Sequence, residues 1–259
     1  TGDAHAVCSA HNLLAALTDN AAQRGQVPGL DPSGITWRRV TDVEDRALRS
    51  IVTGIGGTGN RPVRDTGFDI VTASEIMAVL ALTSDLADLR TRLSRMVVGF
   101  TNEGSPVTAD DVQAVGSMMS LLRYAIQPNL VQTTEGQPAL VHTGPFGNIA
   151  HGCSSVVADR LALGYADYVV TEAGFGADLG FEKFMHIKAR FNDLEPDAVV
   201  MVATVKALKS HGGVRVRDLD TPNEDALRKG MANLEHLTGV VRSFGLPVVV
   251  AMNRFPSDT

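Results

Sequence analysis

The chain has 259 residues, 44% apolar and 20% charged, with a formal net charge of −6. It is long enough for one large or two modest domains of ordinary water-soluble composition. No Lys/Arg run stands out, which argues against a nucleic-acid or anionic-membrane surface, and apolar runs such as Ala198–Ala203 and Leu246–Met252 are too short to span a bilayer.

Residues 4–24 carry good helix formers and an apolar stripe at Ala6, Val7, Ala10, Leu13, Leu14 and Leu17, with Asp3 suited to cap the helix. Gly25 to Gly34 reads as a loop that leads through Trp37 into a short extended piece, and Thr41 or Asp42 is placed to cap a short helix over 43–51. A Gly-rich loop follows at 54–69, too long for an idle connector. Helices are expected at 72–82, 84–96 and 109–125, with an exposed turn at Gly99–Val107. From Leu130 short β-branched runs alternate with helical stretches. Strands are expected at 129–132, 138–142, 167–171, 197–204 and 246–252, and helices at 149–163, 179–189 and 223–243. The predicted class is α/β: a mainly parallel sheet with helices on both faces, P-loop-NTPase-like, behind a mostly helical portion at 1–127, with the ligand loops in 128–259.

Four unusual clusters fall at the ends of these strands: TGPFGN after 139–142, EAGFGAD after 167–171, KALKSHGG after 197–204 and NRFPSD after 246–252. In an open parallel sheet, ligands bind outside the carboxyl ends of the strands. One such cluster is explained by strand-ending Gly and Pro alone; four in one sheet are expected to line a shared cleft. Phe175 and Phe255 sit in polar, Gly- or Pro-flanked loops, where a ring suits stacking on a flat heterocycle better than core packing. Phe146 is a second-rank candidate. Gly144, Gly176 and Asn148 offer backbone amides to an anion. Asn253 is either a turn residue or a reader of a purine edge. Arg61 and Arg64 suit phosphate or carboxylate, or an ordinary surface loop. Asp3 can cap its helix and also bind Mg²⁺ or orient a reacting group. Cys8 and Cys153 show no metal-ligand spacing and read as free thiols of a reducing cytoplasm. The lone histidines, among them His142 and His151, read as structural. No G-x-x-x-x-G-K-[ST] is present; GIGGTGNR at 54–61 lacks its Lys and Ser/Thr.

The segments TGDAHA at 1–6, GFDIVTASEIMA at 67–78, TGPFGNIAHG at 143–152, GFGAD at 174–178 and NRFP at 253–256 closely resemble those of formate–tetrahydrofolate ligase, along essentially the whole chain. The resemblance implies ATP-dependent ligation of formate to tetrahydrofolate through formyl phosphate, with ATP, Mg²⁺ and tetrahydrofolate bound by a cytoplasmic homo-oligomer. It places Phe175 and Phe255 by the folate and Asp3, in the TGD segment, beside the phosphate site. With the residue readings above, the expected site is Phe175, Phe255, Gly174 and Pro256 by the folate, Gly144, Gly176, Asn148 and Arg64 by the phosphate or intermediate, Asn253 by the nucleotide, and Asp3 in catalysis. Thr143 stands where the family usually has Gly, Gly147 where it has Ala, and Ser154 where it has Asn. The family's P-loop precedes its TGD segment and its folate-stacking Trp follows the NRFP segment. The chain therefore reads as an internal fragment, inactive alone; the second reading is a non-catalytic ligand-binding or oligomerisation module of the same fold.

Overall fold

The structure is a computed structural model that describes residues 2–147, 151–256 and 258. It is mixed α/β and divides into two compact units, Thr1–Glu172 and Ala173–Thr259. The compositional boundary expected at residue 127 lies inside the first unit.

The first unit is organised around α1 (Asp3–Arg24). Its buried residues Val7, Ala10, His11, Leu14, Ala15, Thr18 and Ala21 recur at helical spacing and form one face. The helix stops at Gly25, whose left-handed φ of 61° turns its amide back onto Ala21 and Ala22. Its N-cap is Gly2, not Asp3, because the Asp3 carboxylate is engaged elsewhere. Five short strands follow: β1 (Leu30–Ile35), β2 (Arg39–Thr41), β3 (Ile51–Thr53), β4 (Arg64–Thr66) and β5 (Phe68–Ile70). β3 and β4 make an antiparallel hairpin, so the Gly-rich stretch is largely its loop; β2 and β5 pair in parallel. The expected helix over 43–51 shrinks to one 3₁₀ turn, Arg46–Leu48, capped by Asp45 rather than Thr41 or Asp42.

Helices α2 (Glu75–Leu82) and α3 (Leu86–Ser94) start at Ser74 and Asp85, whose side chains accept the amides of Ile76 and Asp88. The stretch expected to be an exposed turn instead holds β6 (Val97–Thr101) and β7 (Pro106–Thr108), which complete an antiparallel sheet in the order β1-β6-β7. Helix α4 (Val115–Leu122) closes the core with Leu14, Ile76, Leu80, Leu89, Leu93, Met118 and Leu122, all essentially inaccessible. Each such side chain contributes about 1.5–3 kcal/mol by leaving water.

β8 (Asn129–Gln132) and β9 (Pro138–Val141) pair as an antiparallel hairpin across a five-residue turn, with Asn129 opposite Val141. Helix α5 (Val156–Tyr165) follows, capped by the Ser155 hydroxyl. The strand expected at 167–171 does not form. The segment has no pairing partner among the described residues, and Tyr168 and Val170 are over 90% exposed.

The second unit begins with π-helical turns at Ala177–Phe181 and Phe184–Ala189 and a last turn, α6 (Arg190–Asn192). Then come β10 (Val199–Thr204), α7 (Val205–His211), α8 (Glu224–Ser243) and β11 (Val248–Asn253). β10 and β11 pair in parallel from Val199–Val248 to Thr204–Asn253. One face of the pair packs with Ala177, Phe181, Val241 and Phe244. On the other face Val200, Val202 and Val249 are about two-thirds exposed. α7 and α8 approach closely: a Cβ on Gly230 would overlap the Leu208 carbonyl, and one on Gly212 the Ala226 carbonyl. Among the described residues the sheets are small, and two of the five are parallel.

Two buried histidines lock helix starts. His11 has Nδ1 2.8 Å from the Ser74 hydroxyl and Nε2 3.1 Å from the Arg38 carbonyl, and it stacks on Trp37 at 4.4 Å. Burial pushes its pKa down to about 4. The unfolded chain, with a histidine pKa of about 6.5, takes up the proton first. The stabilisation is complete above pH 6.5 and is lost as pH falls through the window to about 4, amounting to about 3 kcal/mol. Urea unfolding at pH 7 and pH 4.5 should show a smaller pH difference in His11→Gln than in the parent; equal differences would refute this.

Candidate functional site

The turn after β9 is tied down residue by residue. His142, 4% exposed, has Nδ1 2.6 Å from the Ser155 hydroxyl and Nε2 2.6 Å from the Ala125 carbonyl. The Nε2–H donates to that carbonyl, the Ser155 hydroxyl donates to Nδ1, and the Ser155 oxygen accepts the Ala158 amide of α5. Next, the Thr143 amide donates to the buried Asp3 carboxylate at 2.9 Å. Phe146 donates its amide to the Thr72 carbonyl at 2.8 Å, just ahead of α2. Residues 142–147 therefore join the starts of α1, α2 and α5. Gly144 is exposed with open space around its Cα, and Phe146 is 42% exposed, outside the core. Asn148 lies outside the described residues.

Thr143 has a φ of +58°, left-handed backbone that disfavours a β-branched residue. Its hydroxyl is also buried, with no hydrogen-bond partner among the described residues. The position is one where glycine, the residue the resemblance leads one to expect, fits best. Thr143→Gly should relieve strain and an unsatisfied hydroxyl, offset by glycine's extra freedom when unfolded, for a net gain of about 1 kcal/mol. A lower urea midpoint for the variant would contradict this.

Phe175 shows a similar anomaly. It has a φ of +52° and is 70% exposed, between Gly174 at φ +65° and Gly176. The turn is backed by Gly180, where a Cβ would overlap the Gly174 carbonyl. A bulky ring held at positive φ and turned to solvent has neither packing nor backbone preference to explain it, and such residues concentrate at ligand sites.

The ends of β10 and β11 lie side by side, with Thr204 opposite Asn253. Thr204 caps α7 through the Ala207 amide. Asn253 is exposed, and Pro256 lies in an exposed turn. Phe255, 42% exposed, donates its amide to the Asp258 carboxylate at 2.8 Å. Lys206 sets its ammonium 5.1 Å from the Phe255 ring centroid and 2.6 Å from the Asp220 carboxylate.

The four clusters expected on one sheet edge divide. Those after β10 and β11 share an edge; Gly144 follows a strand of a separate antiparallel hairpin, and the segment 166–173 that leads into Gly174 is not a strand. Arg64 is buried, with Nε 2.8 Å from the Asp19 carboxylate, which also takes Arg39 at 2.8 Å. A phosphate at Arg64 would have to compete with that pair. The Asp19 partnership and the His–Ser pairs had no sequence signal, since the partners lie 45, 63 and 13 residues apart.

Burial raises the Cys8 thiol pKa, with Asp42 adding to the effect. Among the described residues no three His, Cys, Asp or Glu side chains group so as to hold a metal, and no helix is long and apolar enough to cross a membrane.

A mixed α/β scaffold that presents glycine- and phenylalanine-bearing turns matches one family along its whole length. The family model for formate–tetrahydrofolate ligase covers residues 1–259. Curated relatives named formate–tetrahydrofolate ligase from Hyphomonas neptunium, Paracoccus denitrificans and Roseiflexus sp. are 58%, 60% and 56% identical to the chain over all of it. The chain belongs to the formate–tetrahydrofolate ligase family. It spans 47% of each of these relatives, about half their length.

Proposed function

We propose that the whole protein ligates formate to tetrahydrofolate at the expense of ATP, giving 10-formyltetrahydrofolate, ADP and phosphate, on a P-loop-NTPase-like parallel sheet larger than the β10–β11 pair. A formate oxygen attacks the γ-phosphorus and ADP leaves, producing formyl phosphate. The folate amine then attacks the formyl carbon and phosphate leaves. Both steps depend on positioning and on stabilising anionic oxygens, and exposed Gly-rich turns offer amides for that purpose. Gly144, Asn148 and Gly176 are assigned to the anion, with Asp3 fixing the first turn through the Thr143 amide. Phe175, Phe255, Gly174 and Pro256 are assigned to the pterin and Asn253 to the adenine; Arg64, engaged by Asp19, serves the scaffold. Mg²⁺ accompanies ATP in this reading. The described residues supply no multidentate cluster for it, so no step is assigned to it. A homo-oligomer in the cytoplasm, acting on small molecules, completes the reading.

The observation that carries it is Phe175: a ring in the GFGAD segment, solvent-facing, at φ +52°. The test is formate- and tetrahydrofolate-dependent ADP release by the purified whole protein. Release unaffected by omitting either substrate would overturn the reading. Residues 1–259 alone are expected to show none, since they carry no Walker lysine.

A further inference from the structure

We infer that Lys206 is a positioning residue for Phe255, holding one face of its ring so that the other is presented to the pterin. The inference rests on the folate reading above and names a residue that reading does not use.

The geometry lies within the second unit. Lys206 is the second residue of α7, two positions after the cap Thr204, which pairs with Asn253 across the sheet. The parallel register therefore delivers Lys206 and Phe255 to the same edge. The ammonium stands 5.1 Å from the ring centroid, within cation–π range. Its other partner, Asp220, holds it at 2.6 Å while being 72% exposed itself. Lys209, three residues on, bonds the Thr221 carbonyl at 3.3 Å, so two lysines of α7 hold the 220–221 segment. At the far end, the Phe255 amide is fixed by Asp258, and Arg254 bonds the Asp258 carbonyl at 2.9 Å. The ring is thus held by its backbone and by a tethered cation.

An exposed phenylalanine otherwise samples several rotamers, and a ligand that stacks on it must first order it. Lys206 supplies that order beforehand. The ammonium also draws the ring's negative quadrupole toward itself, leaving the opposite face better suited to an electron-rich heterocycle such as a reduced pterin.

The test uses the whole protein with Lys206→Met, Lys206→Arg and Asp220→Asn. Lys206→Met should raise the Michaelis constant for tetrahydrofolate about 2- to 5-fold, with the constant for ATP and the melting temperature unchanged. Lys206→Arg, which keeps a cation over the ring, should restore it. Asp220→Asn, which frees the tether at an exposed position, should give a smaller rise of the same kind. An unchanged folate constant in Lys206→Met, or equal rises for folate and ATP, would overturn the inference. If Lys206→Met melts early, Asp220→Asn decides: no folate-selective rise overturns it. A wild-type protein without formate-dependent turnover would instead sink the folate reading itself.

Discussion

Phe175→Ala or Phe255→Ala in the whole protein should raise the Michaelis constant for tetrahydrofolate by about 5- to 150-fold, corresponding to the about 1–3 kcal/mol that aromatic stacking contributes, and leave that for ATP nearly unchanged. The alternative, that these rings belong to the core, would cost about 3–5 kcal/mol of stability on truncation and damage every constant together. Exposure separates the two. Phe175 is 70% and Phe255 42% exposed, whereas Phe181 and Phe184 of the same unit are 6% and 7% exposed. Melting temperatures of the two variants should stay within a few degrees of the parent. A steep fall with both constants collapsing would reject the stacking role.

The second large effect concerns stability. Gly230→Ala puts a methyl group against the Leu208 carbonyl, so α7 and α8 must separate. Overpacking of this kind costs about 1–3 kcal/mol, and more when backbone has to move; alanine's better helix propensity returns about 1 kcal/mol. The expected net loss is about 2 kcal/mol. Gly239 lies on the same helix with nothing within 4 Å of its would-be Cβ. Gly239→Ala should therefore stabilise, by up to about 1 kcal/mol. Opposite shifts of the urea midpoint confirm the helix contact; two shifts of the same sign would disprove it.

The long helices were readable because a buried face repeats every 3.6 residues. α1 and α8 lie within a residue of the expected 4–24 and 223–243. β10 and β11 were readable as apolar runs bounded by turn residues. The run at 167–171 has a similar composition but, among the described residues, no neighbouring strand to take its hydrogen bonds, and propensity alone does not make a strand. Gly99 misled in the other direction. It reads as a turn, yet it sits in β6 where the β1–β6 register shifts and the Gly34 carbonyl comes too close for a side chain. In the candidate site, the exposure of Phe175 and Phe255 was legible because both rings sit in polar, Gly- or Pro-flanked loops. The partner of Arg64 was not, since Asp19 answers its charge from an element 45 residues away, and no local pattern encodes such a partnership.

The tie between Asp3 and the Thr143 amide spans 140 residues. On a ribosome adding about 5–20 residues per second, α1 emerges roughly 7 to 30 seconds before the amide that will receive its first carboxylate. In that interval Asp3 remains hydrated at the positive end of its own helix dipole, where its charge is favourable. The turn that carries Gly144 and Phe146 can then close only after everything from α1 to β9 has been made, and its His142 anchor waits longer still, for Ser155 at the start of α5.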